Sequence, residues 1–275
     1  MKKMRLYVLD NGKLENDRAN QIVFNALGTT NNKNSPSEWV DVPVYSILID
    51  HPDGLVLFDT ACHPTSMTDR WPETNRIRTP YVAEEKNYLP NTLKSLGYSP
   101  EDIKYVVVSH LHEDHAGCLE MFINAEIIVH DNEFTQAMKL FALNGSFGAF
   151  IKADIEAWLG ANLNWHLIDS EDGDYQLLEG LTILNLGSGH SFGMLGLLVE
   201  LQNDGNILLA SDCIFTRTNL GPPIVFPAMV YDSFGYVKTI NRITRLSKEK
   251  RAQVWFGHDM DQFNTLRKSP NEYYE

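Results

Sequence analysis

The stretch Ser109-His110-Leu111-His112-Glu113-Asp114-His115-Ala116-Gly117 constrains this chain more than any other. It follows the apolar run Tyr105-Val106-Val107-Val108, which reads as a short buried strand. Side chains two apart on a strand point the same way, so His110 and His112 are expected to leave its C-terminal end together and face one point. Asp114 and His115 follow in the turn. The small pair Ala116-Gly117 lets the next segment, expected to be a helix, pass close to that point. A fold built on this stretch must bring four ligand-type groups, spaced within six residues, to one place. Neutral imidazoles and a carboxylate suit zinc, and iron, cobalt and nickel accept the same set. Surface histidines in a polar turn are the alternative, but that reading suits a lone histidine better than three with an aspartate at this spacing.

At 275 residues the chain is long enough to bury a sizeable core, as one large domain or two small ones. No composition break marks a linker, so a single domain over residues 1–275 is expected. A formal charge of −13 argues against a nucleic-acid partner, because phosphate binding needs a basic face. A neutral or apolar small molecule fits better. The opening Met1-Lys2-Lys3-Met4-Arg5 is charged like a secretory leader, but only Leu6 to Leu9 follows as an apolar stretch, too short for a signal core, and no run reaches membrane-spanning length. A cytoplasmic protein with no membrane partner is the expectation. Cys62, Cys118 and Cys213 form no Cys-x-x-Cys pair and read as buried free thiols.

Along the chain, Leu6 to Leu9 reads as a strand closed by the turn signal Asp10-Asn11-Gly12. The polar stretch from Thr29 to Glu38 reads as an exposed or lid-like loop. Val42 to Asp50 and Leu55 to Asp59 form a hairpin with Asp53-Gly54 at its tip. Pro64 to Lys86 reads as an irregular crossing loop, Leu89 to Leu96 as a helix ended by Gly97, and Ser99 to Asp102 as a cap leading into the central strand. Beyond the motif come a strand, Glu126 to His130, and two helices, Asp131 to Leu143 capped by Asp131 and Ile151 to Leu159. The second half repeats the arrangement, with strands at Leu181 to Leu186, Met194 to Leu201, Ile207 to Ala210 and Gln253 to Phe256. An amphipathic helix from about Ser233 to Lys250 precedes the last of these. This pattern predicts an α+β fold of two similar halves packed face to face.

Three more candidates, His190, Asp212 and His258, each lie just past the C-terminal end of an apolar strand, where a site can form between sheets. Each taken singly could be a turn or cap residue. With the central motif they make five histidines and two aspartates; His51, His63, His130 and His166 read as structural.

The His-x-His-x-Asp-His stretch resembles the signature of the metallo-β-lactamase superfamily, whose fold is an αββα sandwich. Its bimetallic members place a His after a Gly-rich turn, an Asp after a later strand and a His near the end, in the order seen here. The resemblance implies two Zn²⁺ ions, with other divalent metals possible: His110, His112 and His190 on one, Asp114, His115 and His258 on the other, and Asp212 bridging. Leu57 to His63, Ser109 to Gly117, Gly189-His190, Thr218 to Pro223 and Phe256 to Asp259 are similar to the N-acyl-homoserine-lactone lactonases, the quorum-quenching branch. That similarity runs over nearly the whole chain.

For such a lactonase the implied chemistry is attack of a metal-bridging hydroxide on the lactone carbonyl, with Asp114 passing a proton to the leaving alkoxide. Asp59 is expected to orient a ligand histidine. Rival readings are a hydrolase of another lactone, ester or thioester on the same scaffold, the Gly257 to Met260 stretch being similar to pyridoxolactonases too, and a di-iron redox protein. The latter group is expected to carry a carboxylate at the position of His112 and a flavin module for which this chain has no room. One position departs from the lactonases: Phe215 stands where they typically carry a tyrosine whose hydroxyl contacts the substrate. Phenylalanine keeps the ring and drops the donor, which points either to a different substrate or to another donor from a loop, with Tyr231 a weak candidate; the alternative is that Phe215 is only pocket wall.

Overall fold

The computed structural model describes residues 3–145 and 148–275. Its first sheet is built from β1 (Arg5–Asp17), β2 (Trp39–His51), β3 (Gly54–Phe58), β4 (Tyr81–Val82), β5 (Ile103–Val107), β6 (Glu126–His130) and β7 (Asn164–Ile168), in the order β4-β1-β2-β3-β5-β6-β7. The second comprises β8 (Tyr175–Leu178), β9 (Leu181–Gly187), β10 (Met194–Glu200), β11 (Asn206–Ser211) and β12 (Ala252–Phe256), in the order β12-β11-β10-β9-β8. The helices are α1 (Glu73–Arg78), α2 (Leu89–Ser95), α3 (Asp131–Ala142), α4 (Lys152–Gly160), α5 (Arg217–Leu220), α6 (Ser233–Lys250) and α7 (Met260–Thr265).

The strands are apolar on both faces because both faces are covered. Ile47, Ile49, Val56, Phe58, Val107 and Ile128 meet Leu195, Leu197, Val199, Ile207 and Trp255 of the facing sheet. Their neighbours Leu48, Leu57, Val106, Ile127 and Val129 point the other way and pack with Leu89, Leu93, Ile155 and Trp158 of the helices. On the far side Leu184, Leu186, Leu198 and Leu208 pack on Tyr236, Ile240 and Ile243 of α6. The result is a helix–sheet–sheet–helix sandwich, and each buried side chain of this size stabilises it by about 1.5–3 kcal/mol. The halves share a connectivity. In each, three antiparallel strands (β1-β2-β3 and β9-β10-β11) are followed by a helix and a strand parallel to the third. The carboxyl ends of β3 and β5, and of β11 and β12, therefore open toward one rim.

Several local expectations are corrected. Asp10-Asn11-Gly12 does not end β1: pairing with β2 resumes at Lys13 after a shifted register, and Gly12 at φ 89° absorbs the irregularity as a bulge. β2 offers partners on both sides of the interruption, so the turn residues are spent on a kink. The 64–86 segment is more ordered than a crossing loop, holding a π-turn at Ser66–Arg70, α1 and β4. His130 caps α3, its Nδ1 accepting from Asn132 N at 3.1 Å, while Asp131 is already helical. After Ala116 only a 3-10 turn forms, at Leu119–Met121. β7 and β8 carry little apolar periodicity because they are edge strands with much of their surface in solvent. The 29–38 stretch is an irregular, largely exposed loop.

Candidate metal centre

β5 ends at Val107, so His110 and His112 are not aligned by strand alternation. Two buried carboxylates shape the loop that carries them. Asp59, just past β3, takes Ser109 N at 2.7 Å on Oδ1, and on Oδ2 it takes Ser109 Oγ and His115 Nδ1, both at 2.9 Å. It does so at φ 62°, a conformation that costs a non-glycine residue about 1–2 kcal/mol. Glu133 of α3 accepts from Leu111 N, between the two histidines, and from Ser191 Oγ, Phe192 N and Gly193 N beside His190. Burial pushes Glu133 up to about 7, with these donors pulling it down. One carboxylate thus ties the loop from each half to the other.

Glycine is required where the motif turns away. Gly117 N donates to Ala61 O at 2.8 Å, and a Cβ there would lie 2.6 Å from Ala61 O and His63 N. Gly257 likewise leaves no room for a Cβ, which would sit 2.4 Å from Asp212 Oδ1.

All seven side chains singled out in the sequence converge, in three overlapping groups whose ligand atoms lie within 4.8 Å of one another. His112 Nδ1 is 3.0 Å from His110 Nε2 and 3.1 Å from His190 Nε2. Asp114 Oδ2 is 3.5 Å from His115 Nε2 and 3.4 Å from His258 Nε2. Asp212 stands between the sets, with Oδ2 3.4 Å from His190 Nε2 and Oδ1 3.2 Å from His115 Nε2 and 3.0 Å from His258 Nε2. The rear nitrogens are anchored: His110 Nδ1 to Ser109 Oγ, His115 Nδ1 to Asp59, His190 Nδ1 to Met229 O and His258 Nδ1 to Pro43 O. Such bonds fix each ring's orientation and turn its other nitrogen inward.

Burial, reinforced by neighbouring imidazoles, holds His110, His112 and His190 below the usual histidine range. Burial lowers His115 and His258 too, but carboxylates led by Asp114 for the first and Asp212 for the second raise both. Asp114 falls to about 2, since His115 and His258 outweigh the upward push of burial. A cation fits this set. A single proton on His112 Nδ1 cannot satisfy two facing nitrogens, and His115 Nε2 and Asp212 Oδ1, both shielded from solvent, lie close to each other and to His258 yet form no hydrogen bond of acceptable geometry among the described residues.

The other four histidines have structural partners. His51 contacts Glu179 O, His63 contacts Thr65 and Glu120, His130 caps α3 and His166 pairs with Glu126. Phe215 lies 5.0 Å, ring to ring, from both His190 and His258 and walls a cavity of about 220 Å³ above the centre. Tyr231 is not among the residues lining that cavity; it is 60% exposed, and its ring lies tilted against Phe192, 4.1 Å between centroids. Sequence reading missed Glu133, because an acid in a helix's first turn ordinarily reads as a partner of the helix dipole.

Residues 39–141 match the family model described as the metallo-beta-lactamase superfamily. The chain is 40% identical over 274 residues to the N-acyl homoserine lactonase AiiB of Agrobacterium fabrum, covering 98% of this chain and 99% of that protein. The AiiB lactonase of Rhizobium rhizogenes is 39% identical over the same span. Among solved structures, an N-acyl homoserine lactone hydrolase with N-hexanoyl-L-homoserine at its catalytic metal centre superposes with a TM-score of 0.82 at 27% identity, over 99% of this chain and 100% of that one. With this fold, this ligand cluster and this full-length similarity, the chain belongs to the N-acyl homoserine lactonase branch of the metallo-β-lactamase superfamily.

Proposed function

We propose that the protein hydrolyses the lactone ring of N-acyl-homoserine lactones at a dinuclear zinc centre. Full-length similarity to N-acyl homoserine lactonases carries this reading. His110, His112 and His190 would hold one ion, Asp114, His115 and His258 the other, and Asp212 would reach both. Bound divalent ions supply Lewis acidity toward a carbonyl and a water made nucleophilic at neutral pH.

The chain's residues do the rest. Water oxygen joins the lactone carbon, the ring C–O bond breaks and the alkoxide takes a proton, giving N-acyl-homoserine. Asp114 lines the cavity and turns Oδ2 toward His115 and His258, which leaves its other oxygen to take the proton released by the attacking water and pass it to the leaving alkoxide. Asp59 orients His115 from behind. Leu14, Val42, Phe215 and Met229 give the cavity apolar walls that suit an acyl tail. We infer a cytoplasmic setting, since Cys62, Cys118 and Cys213 are free and buried and fit a reducing compartment.

Zinc-loaded protein should convert N-hexanoyl-homoserine lactone to the ring-opened acid with its amide intact, seen by mass spectrometry. Release of hexanoate and free homoserine lactone would mean an amidase and end the proposal. Phe215→Tyr restores a hydroxyl near the reacting carbonyl and should leave metal content unchanged. Because bound ions share the stabilising task, the gain in kcat should be about tenfold or less, below the 10²–10³ that a sole donor can carry. If turnover falls and the wild type prefers a different ester, the cavity serves that ester.

A further inference from the structure

The cavity beside the metal centre is lined by Asn16, a neutral polar side chain with no hydrogen bond among the described residues. Asn16, on β1 and two residues from Leu14, faces the cavity with it. It is only 7% exposed, and its Oδ1 is shielded from solvent without a hydrogen-bond partner among the described residues. Glu113 also lines the cavity and its Oε2 is likewise without a partner among the described residues, but Asn75 Nδ2 holds Oε1 at 3.2 Å, and an ionised carboxylate, which only accepts, cannot pair with both the N–H and the C=O of an amide. A buried amide left unpaired destabilises a fold, and an aliphatic residue of the same volume would pack at Asn16 without that penalty. A ligand that supplied the missing partner would remove the penalty only when bound.

If the proposed function is right, on which this inference rests, the ligand has three parts. A lactone carbonyl is drawn to the metal centre, an apolar tail lies against walls such as Val42, and a secondary amide joins the two. A side-chain amide offers an acceptor and two donors, the complement of a secondary amide's N–H and C=O. We propose that Asn16 hydrogen-bonds the acyl amide of the substrate and so sets the preference for amide-bearing lactones over alkyl lactones of similar size. The main chain of β1 holds Asn16 in register with Val40 of β2, so the side chain is presented from a sheet and not from a mobile loop.

The experiment compares wild type, Asn16→Leu and Asn16→Val, all zinc-loaded and full length, on N-hexanoyl-homoserine lactone and on a γ-hexyl-butyrolactone, which lacks the amide. Loss of the contact should raise KM for the amide-bearing substrate about tenfold, the size of one hydrogen bond to a ligand. kcat should stay within about twofold, kcat/KM on the alkyl lactone should not change, and metal content should remain that of wild type. Melting temperature should hold or rise, because a lone buried polar group has been replaced by an apolar one; a residue serving only the fold would move it down. Equal losses on both lactones, no loss on either, or a lower melting temperature in both variants would overturn the assignment. Wild type that opens neither lactone would instead sink the proposed function.

Discussion

Asp212→Ala is expected to empty the centre, lowering bound zinc from two ions per chain to one or none and lactone opening by more than a hundredfold. Outer partners that merely orient metal ligands are worth about 10–100-fold in affinity or activity, and Asp212 sits closer in than those. Its two oxygens face His190, His258 and His115 from the middle of the cluster. Removing them also removes a negative charge that helps hold His115 and His258 above the usual histidine range, so the remaining imidazoles lose an electrostatic counterweight. Metal analysis by mass spectrometry and product formation should fall together. A variant that retains both ions and wild-type turnover would remove Asp212 from the centre and with it the proposed ligand set.

Glu133→Ala should be the most destabilising single change near the site, by about 3–5 kcal/mol in denaturant unfolding. It strands Leu111 N, Ser191 Oγ, Phe192 N and Gly193 N in a region that water does not reach, and each unsatisfied donor carries a cost of about 1–3 kcal/mol before relaxation. Glu133→Gln should not rescue it, because the amide nitrogen would face donors where an oxygen now accepts. Zinc affinity should drop first at the set formed by His110, His112 and His190, since the clamp acts on the two loops that carry them. Wild-type melting together with wild-type metal content would show that the clamp is dispensable.

What the sequence made legible was the part written in local patterns. The valine-rich strand, the Asp53-Gly54 hairpin and the 3.6-residue rhythm of α6 each announce themselves within a few residues, and so did the layered architecture that follows from them. The seven converging side chains were legible for a related reason, since four fall within six residues of one another and the other three each follow an apolar strand. The supports were legible only in part. An acid at the end of β3 pointed to Asp59 as the orienter of a ligand histidine, but not to His115, which lies 56 positions away, and nothing pointed to Glu133, which reaches Ser191 across 58. Nothing in the neighbourhood of a lone carboxylate says which distant donor it will meet. Bulges are hidden in the same way: Gly12 looks like a turn until β2 is found on both sides of it.

The spread of the cluster along the chain has a consequence for synthesis. His110, His112, Asp114 and His115 emerge early, whereas His190, Asp212 and His258 come later, the last only 17 residues before the end of the 275-residue chain. Both groups of three that define the centre's ends draw on the late segment, His190 for one and His258 for the other. A nascent chain stalled before residue 258 therefore carries the motif without the full cage, and domains finish folding only once their distant segments are available. Under the proposed ligand set, metal capture would wait for the segment that carries His258, and a product that stops short of it would be inert however well its first sheet has formed.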